Sequence, residues 1–397
     1  MVLEYTDVPA VSQQYRYGQM TELKSEVRYG FGKNWAEFIE KNFNDEIVED
    51  SRAHLARFLR MSTLKNLAFL DIGCGSGLHS LAAYRMGARQ IISFDYDRDS
   101  VETTERVRDY AGNPSNWTVM QGSVLDRKFM ERLPPADIIY SWGVLHHTGE
   151  MWNAVRNAAI PMKPDGTFYI SLYSSDNYVD PPPEYWIKVK RKYNAAGPIG
   201  RRLKEWQYAM RFSILPELKA GRNPLAIIRQ YGSRGMKYWT DVKDWLGGYP
   251  IEFASFQETR DFGERELGLD LVNVITGEGC TEYLFCRLAR NQYWQSIVEH
   301  RTLTPLRGPY IARGGASYAV SLPGLEHMAD SDAHPRHSTL MLYEDGRILG
   351  IAHSVHDHIR RYGSGRFSHW NTSLYFSASD NSDPNTNGRR YCYCERF

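Results

Sequence analysis

From Phe69 to Ser80 the chain reads FLDIGCGSGLHS. An apolar run of strand length, Leu67 to Ile72, carries Asp71 near its end and is followed by Gly73, Gly75 and Gly77. Glycines at that spacing let a chain turn sharply and bring its backbone close to a ligand. A helix then begins near Gly77, with Leu78, Leu81 and Ala82 on one face. Strand, glycine turn and helix N-terminus together make a nucleotide-binding turn. The dinucleotide fingerprint needs its third glycine where Leu78 stands, and Asp71 beside the turn would repel a pyrophosphate. The turn suits a ligand that carries positive charge.

Beyond the turn, strand and helix alternate. Gln90–Asp95, Trp117–Gln121, Ala136–Ser141 and Thr167–Tyr173 read as strands, and Ser100–Tyr110 and Met151–Ile160 as helices. Lys163-Pro164-Asp165-Gly166 reads as the turn that introduces the strand after it. Such alternation implies a parallel sheet covered by helices on both faces. The rhythm breaks from Asn177 to Gly268, which holds Pro181-Pro182-Pro183 and several helical pieces but no clear strand. Strands return at Leu269–Thr276 and Thr281–Leu288 as an antiparallel hairpin that closes the sheet edge.

Ahead of the turn, Asp45–Leu59 has helical periodicity. Gly30-Phe31-Gly32 reads as a loop folded over something, leading through Asn34 and Trp35 into a short helix. At the other end, Asn291–His300 reads as a helical connector to short β-like runs such as Ser338–Tyr343 and Ser373–Ser377, with a hairpin at Asp345-Gly346. The expected fold is α/β: a seven-stranded Rossmann-like sheet with a helical lid insertion, plus a small, mostly β C-terminal domain. The expected boundaries are an N-terminal helical cap over 1–62, the sheet domain over 63–176 and 269–290, the insertion over 177–268 and the β-rich domain over 304–397.

Composition places the 397 residues among ordinary globular chains, with 42% hydrophobic and 24% charged residues and a formal net charge of +1. The start lacks the basic-then-apolar pattern of a signal peptide, and no uninterrupted apolar run approaches the ~18 residues of a membrane span. Five cysteines without a zinc-type CxxC pair point to a reducing compartment. A soluble, cytoplasmic protein without a metal is expected.

Asp95 ends the second strand, where a carboxylate can accept both ribose hydroxyls of a nucleoside. YSWGVLHHT, Tyr140 to Thr148, follows at the fourth strand tip, where open α/β sheets bind ligands. It offers Trp142 as a surface for a cation, worth roughly 0.5–2 kcal/mol, and His146 and His147 as proton acceptors near pKa ~6.5. A hydroxyl needs such a base, whereas a thiol with pKa ~8.5 hardly does. In the insertion, Lys188 to Lys237 carries 13 Lys or Arg against only Glu205 and Glu217. That basic lid could attract phosphates or an anionic membrane, or be a solvated helix face. Tyr238, Trp239 and Asp241 read as a ligand wall. The histidines of HSVHDH, His353, His356 and His358, lack the cysteine or carboxylate cluster that would complete a metal site.

FGKNW, LDIGCGSGLHSL, SFDYD, QGSVLD, YSWGVLHHTG, RGMKYWTDVKDWLGGYP and the closing hairpin occur in that order. Over about residues 25–290 the chain resembles the class I S-adenosylmethionine-dependent methyltransferases, in a bacterial subgroup often seen with surface-polysaccharide genes. The resemblance implies S-adenosylmethionine as cofactor. It implies cofactor contacts for Asp71, Gly73, Gly75, Gly77, Asp95, Tyr96, Ser123 and Val124, with the last two along the adenine and Trp35 and Trp142 near the pocket. SWGV differs from the Asn/Asp-Pro-Pro-Tyr/Phe turn of enzymes that methylate DNA amino groups or glutamine. Thr240 stands where the subgroup more often has a histidine before the aspartate, so no acceptor role rests on a histidine there. The expected reaction is methyl transfer to a small-molecule or glycan hydroxyl. A thiol, sulfide or amine acceptor is the alternative, and a non-catalytic glycan- or RNA-binding module is the alternative from another class. Nucleic acid is not the expected partner; a homo-oligomer through the C-terminal domain is.

Overall fold

The computed structural model describes residues 30–219, 221, 223–224, 228 and 238–396. The chain before residue 30 lies outside them, as do Arg222, Arg229, Arg234 and Lys237 of the basic run. Two helices, α1 (Phe31–Asn42) and α2 (Asp45–Leu59), precede the sheet. Its strands are β1 (Ala68–Ile72), β2 (Gln90–Asp95), β3 (Trp117–Gln121), β4 (Ala136–Trp142), β5 (Met162–Tyr173), β6 (Asp270–Thr276) and β7 (Cys280–Cys286), in the order β3-β2-β1-β4-β5-β7-β6. The first five run parallel, and β7 is antiparallel to both its neighbours. Helices α3 (Leu78–Arg85), α4 (Arg98–Tyr110), α5 (Arg127–Arg132) and α6 (Met151–Ala158) form the crossovers. With both faces covered, every residue of β1 is buried, which is why it reads as a continuous apolar run.

Two local expectations are corrected. Lys163–Gly166 is a bulge inside β5, not a turn before it: Met162 pairs with Ala136 and Thr167 with Ile138. Asp137, opposite the bulge, binds Lys163 Nζ at 2.8 Å and accepts the Ala68 N–H at 2.7 Å, holding the extra residues to the sheet. The Gly-Phe-Gly segment is not a loop but the start of α1, and Trp35 sits within that helix. Gly32 explains the difference. Its N–H donates to Asp97 Oδ2 at 2.8 Å, and an added Cβ would lie 2.6 Å from Asp99 Cβ and from the Ser100 nitrogen. The glycine lets α1 dock directly on the first turn of α4. Gly32→Ala is expected to destabilise the fold by about 1–3 kcal/mol, read as a lower urea midpoint with an unchanged slope.

The insertion contributes α7 (Pro183–Asn194), α8 (Pro198–Ala209), a π-helical segment (Met210–Ile214), α9 (Leu215–Lys219) and α10 (Tyr238–Gly247). These close around a core of their own formed by Tyr193, Ala209, Tyr238, Val242 and Leu246. A short helix, α11 (Phe256–Asp261), leads back to the sheet, and α12 (Gln292–Glu299) leads out of it.

Eight short strands follow: β8 (Thr304–Pro305), β9 (Ile311–Ala312), β10 (Tyr318–Ser321), β11 (Leu340–Glu344), β12 (Arg347–Ile348), β13 (Phe367–Trp370), β14 (Ser373–Phe376) and β15 (Tyr391–Glu395). They form two four-stranded sheets, β13-β14-β10-β9 and β12-β11-β15-β8. The hairpin at Asp345-Gly346 joins β11 to β12. Met341, Tyr343, Ile348 and Cys394 join the same apolar cluster as Phe256, Tyr283 and Phe285 of the sheet domain. Arg366 reaches Asp176 at 2.8 Å, with both side chains largely buried. No helix among the described residues is long and apolar enough to cross a membrane.

Candidate active site

The strand order reverses between β1 and β4, and outside the carboxyl ends of those strands lies a cavity of about 1000 Å³. That is the upper end of the ~300–1,000 Å³ of ligand pockets, and leaves room for two molecules side by side.

One wall is the glycine turn. Gly73, Gly75 and Gly77 all have positive φ, at 75°, 52° and 76°, which side-chain-bearing residues rarely adopt. The space a side chain would need is taken by the protein itself: an added Cβ would lie 2.4 Å from Val144 Cγ1 at Gly73 and 3.1 Å from Trp35 Nε1 at Gly75. Trp35 of α1 therefore roofs the turn, and the loop after β4 braces it.

Asp71 is buried and accepts the Ser80 hydroxyl at 2.6 Å. Burial, offset by Ser80 and reinforced by the charge of Asp95, raises its pKa to about 7. Asp95 accepts the Gly75 N–H at 3.0 Å on Oδ2 and the Asp97 N–H at 2.9 Å on Oδ1. Burial lifts it to about 6 against these backbone hydrogen bonds. Two carboxylates short of positive charge face the cavity, and a cationic ligand with ribose hydroxyls would satisfy both. Tyr96 is exposed beyond Asp95. Ser123 Oγ accepts the Leu125 N–H at 3.2 Å, and Val124 is buried with its carbonyl held by Asn157 Nδ2 at 3.0 Å, so the turn after β3 is fixed.

The second part of the cavity is lined by histidines. His146 is fully buried; its Nδ1 accepts the Tyr173 N–H at 3.3 Å, and burial, with His147 and Lys190 nearby, pushes its pKa well down. His147 Nδ1 lies 2.7 Å from the Pro250 carbonyl, which fixes the proton there and leaves the lone pair on Nε2. Burial takes His147 down to about 3 despite that bond. The adjacent pair thus splits: His146 holds the tip of β5, and His147 is a neutral hydrogen-bond acceptor in the cavity wall.

A third group, not anticipated from the sequence, completes the histidine cluster. His54 of α2 lines the cavity, and its Nε2 lies 3.3 Å from Glu282 Oε1 on β7. Glu282 also accepts the Tyr169 hydroxyl. Burial works against the charge of His54, but the hydrogen bond and charge of Glu282 outweigh it and raise the pKa. For Glu282 burial raises, and bonds to His54 and Tyr169 lower, with a net lowering. His79, with its ring 6.3 Å from that of His54, is pushed to about 3 by burial and by the His54 charge. Only His54 among these rings is poised to take a proton. Glu282, a lone acid inside the apolar strand CTEYLFC, was the signal in the sequence.

Tyr238, Trp239 and Asp241 do not line the cavity. Tyr238 donates to Ser213 Oγ at 2.7 Å, and Trp239 packs on Trp206 with ring centroids 4.8 Å apart. Asp244, Tyr249 and Pro250, farther along the same stretch, supply the wall instead, and Asn34 of α1 reaches Asp244 at 3.1 Å. The C-terminal histidines have structural partners of their own: His353 bonds Asp330 at 2.7 Å and His356 stacks on Tyr375 at 4.0 Å. No group of three or more potential ligands placed to hold a metal occurs among the described residues.

Residues 43–220 match the profile of a family described as a methyltransferase domain. The sheet order, the antiparallel β7 and the glycine turn agree with it. The segment is a class I S-adenosylmethionine-dependent methyltransferase domain. Among curated relatives of this methyltransferase domain, the ribosomal protein L11 methyltransferase of Cyanothece sp. is 42% identical over 62 residues, 15% of this chain and 21% of that one. The tRNA U34 carboxymethyltransferase of Aliivibrio salmonicida is 32% identical over 87 residues, 22% of this chain and 26% of that one. The chain thus spans about a fifth to a quarter of the length of these relatives. Among solved structures, magnesium protoporphyrin IX methyltransferase from Synechocystis, crystallised with S-adenosylhomocysteine, is similar at 11% identity and a TM-score of 0.39, over 64% of this chain and 93% of that one. An O-methyltransferase family protein from Burkholderia thailandensis is similar at 15% identity and a TM-score of 0.38, over 65% and 58%.

Proposed function

We propose that the chain is an enzyme that transfers a methyl group from S-adenosylmethionine to a hydroxyl of a small molecule or glycan. The observation that carries the hydroxyl is His54 in the cavity wall, paired with Glu282. S-adenosylmethionine supplies a methyl group already activated by its sulfonium. What the protein must add is alignment, worth up to ~7–11 kcal/mol, and a destination for the acceptor's proton. With Nε2–H donated to Glu282, His54 presents Nδ1 as that destination, and the carboxylate behind it stabilises the imidazolium that forms. A thiol or sulfide would need no such pair.

The other residues fall into supporting roles. Asp95 and Tyr96 would hold the ribose, Ser123 and Val124 the adenine, and Asp71 with Gly73, Gly75 and Gly77 the amino-acid end, under Trp35 and beside Trp142. His147 Nε2 would accept a hydrogen bond from the acceptor and orient it, while His146 fixes the neighbouring strand tip.

The test uses S-adenosylmethionine labelled in its methyl group and a panel of nucleotide sugars, free monosaccharides, phenols, thiols and amines. Label recovered in a base-stable ether supports the reading. Label confined to thioethers or methylamines overturns it.

A further inference from the structure

The insertion shows water an apolar face that a folded core would normally cover. Along α8, Ile199, Leu203, Trp206 and Met210 are 81%, 60%, 45% and 41% exposed. Their spacing of four, three and four residues puts them on one side of the helix. A neighbouring side of the helix carries the packing, with Glu205 and Ala209 buried. The π-helical segment then widens the turn, so that the half-buried Ile214 and the exposed Leu218, each four residues farther on, prolong the stripe into α9. Scattered exposed apolar residues are ordinary; a continuous row along one helical run is a binding face.

Charge says what covers it. From α7 to α9, Lys188, Arg191, Lys192, Arg201, Arg202, Arg211 and Lys219 are exposed, whereas among the acids only Glu184 is, with Glu205 buried and Glu217 half-buried. Arg202 borders the stripe on one side by its helical position, and the exposed Arg211 follows Met210 at its end. An apolar stripe edged by cations fits an anionic lipid surface: the apolar row enters the acyl boundary and the basic edges meet the headgroups. A second protein copy would meet the same cations and be repelled. The face is one helix away from the acceptor space, since Trp206 packs on Trp239 of α10 and the same helix carries Asp244 to the cavity wall.

We propose that the α8–α9 face docks the protein on an anionic lipid bilayer, lying in the headgroup plane without crossing it. The test is sedimentation of the full chain with vesicles of an equal mixture of phosphatidylcholine and phosphatidylglycerol, against pure phosphatidylcholine. Binding is expected to the anionic vesicles alone, and to be lost in ~1 M salt, where the Debye length falls to about 3 Å. Arg211→Glu should weaken it at least about fivefold, the worth of one basic residue near such a surface. Ile199→Ser with Leu203→Ser should remove it, with S-adenosylhomocysteine binding by calorimetry unchanged as the check on folding. Three results would overturn the proposal: no binding to anionic vesicles, binding that the Ile199/Leu203 double variant retains, or self-association in light scattering that the same double variant abolishes. Vesicle binding stands or falls without reference to the acceptor, so its failure would leave the methyltransferase reading untouched.

Discussion

His54→Ala is expected to lower turnover on a hydroxyl acceptor by about 10²–10⁴-fold, the usual worth of a general base, without changing S-adenosylhomocysteine affinity. Glu282→Gln separates this role from a structural one. It keeps the shape of the side chain but removes the charge that raises the proton affinity of His54. A base works only when deprotonated, so the raised pKa places the acidic limb of the pH–rate profile above the ~6.5 of an ordinary histidine. In Glu282→Gln, burial is left unopposed. The limb should therefore move to lower pH while the plateau falls, because a weaker base transfers the proton less well. A plateau that drops with the limb in place would mean that Glu282 only holds the fold. His147→Ala should instead raise KM more than it lowers kcat, because a ring already at about 3 orients the acceptor without taking its proton.

Asp95→Ala is expected to weaken S-adenosylhomocysteine binding by about 10²-fold or more. Each hydrogen bond to a charged group contributes about 1.5–3 kcal/mol, and the proposed ribose contact makes two. The same change frees the Gly75 and Asp97 N–H groups that the carboxylate now holds. Asp95→Asn serves as the milder control, since the amide oxygen can still accept one of them. The pH dependence gives a separate reading. With Asp95 raised to about 6, affinity should fall as pH drops through that value and the acceptor carboxylate becomes protonated. Asp71, raised to about 7, adds a slope of the same sign for a cationic ligand. In Asp95→Asn only the part due to Asp71 should remain. Isothermal calorimetry across this range distinguishes the two carboxylates.

The architecture was largely legible because it rests on local pattern. Apolar runs bounded by turns gave the parallel strands, the runs Leu269–Thr276 and Thr281–Leu288 gave the closing hairpin, and the glycine spacing excluded a dinucleotide. Two errors had one cause: a residue read for its propensity was serving a partner far away in the chain. Gly32 looked like a loop glycine, but it is needed so that α1 can touch α4. Pro164 and Gly166 looked like a turn, but Asp137 holds them as a bulge. The His54–Glu282 pair was hidden for the same reason. His54 sits in a helix whose neighbours, Ala53 and Leu55, read as core, and Glu282 sits in a strand of otherwise apolar and small residues. Only the folded sheet brings β7 beneath α2. The adjacent histidines after β4 drew attention because they are adjacent, and their burial is invisible in one dimension.

Helix α1 is pinned at two ends of the cavity, to Asp97 beside the glycine turn through Gly32, and to Asp244 on the acceptor wall through Asn34. It behaves as a strut between two rooms. Whichever ligand arrived first would stiffen the strut and leave less freedom for the second to remove. Cofactor and acceptor should therefore strengthen each other's binding, and by thermodynamic reciprocity they must do so by the same factor. Asn34→Ala would cut the strut at one end and bring that factor toward one, with each ligand still binding alone.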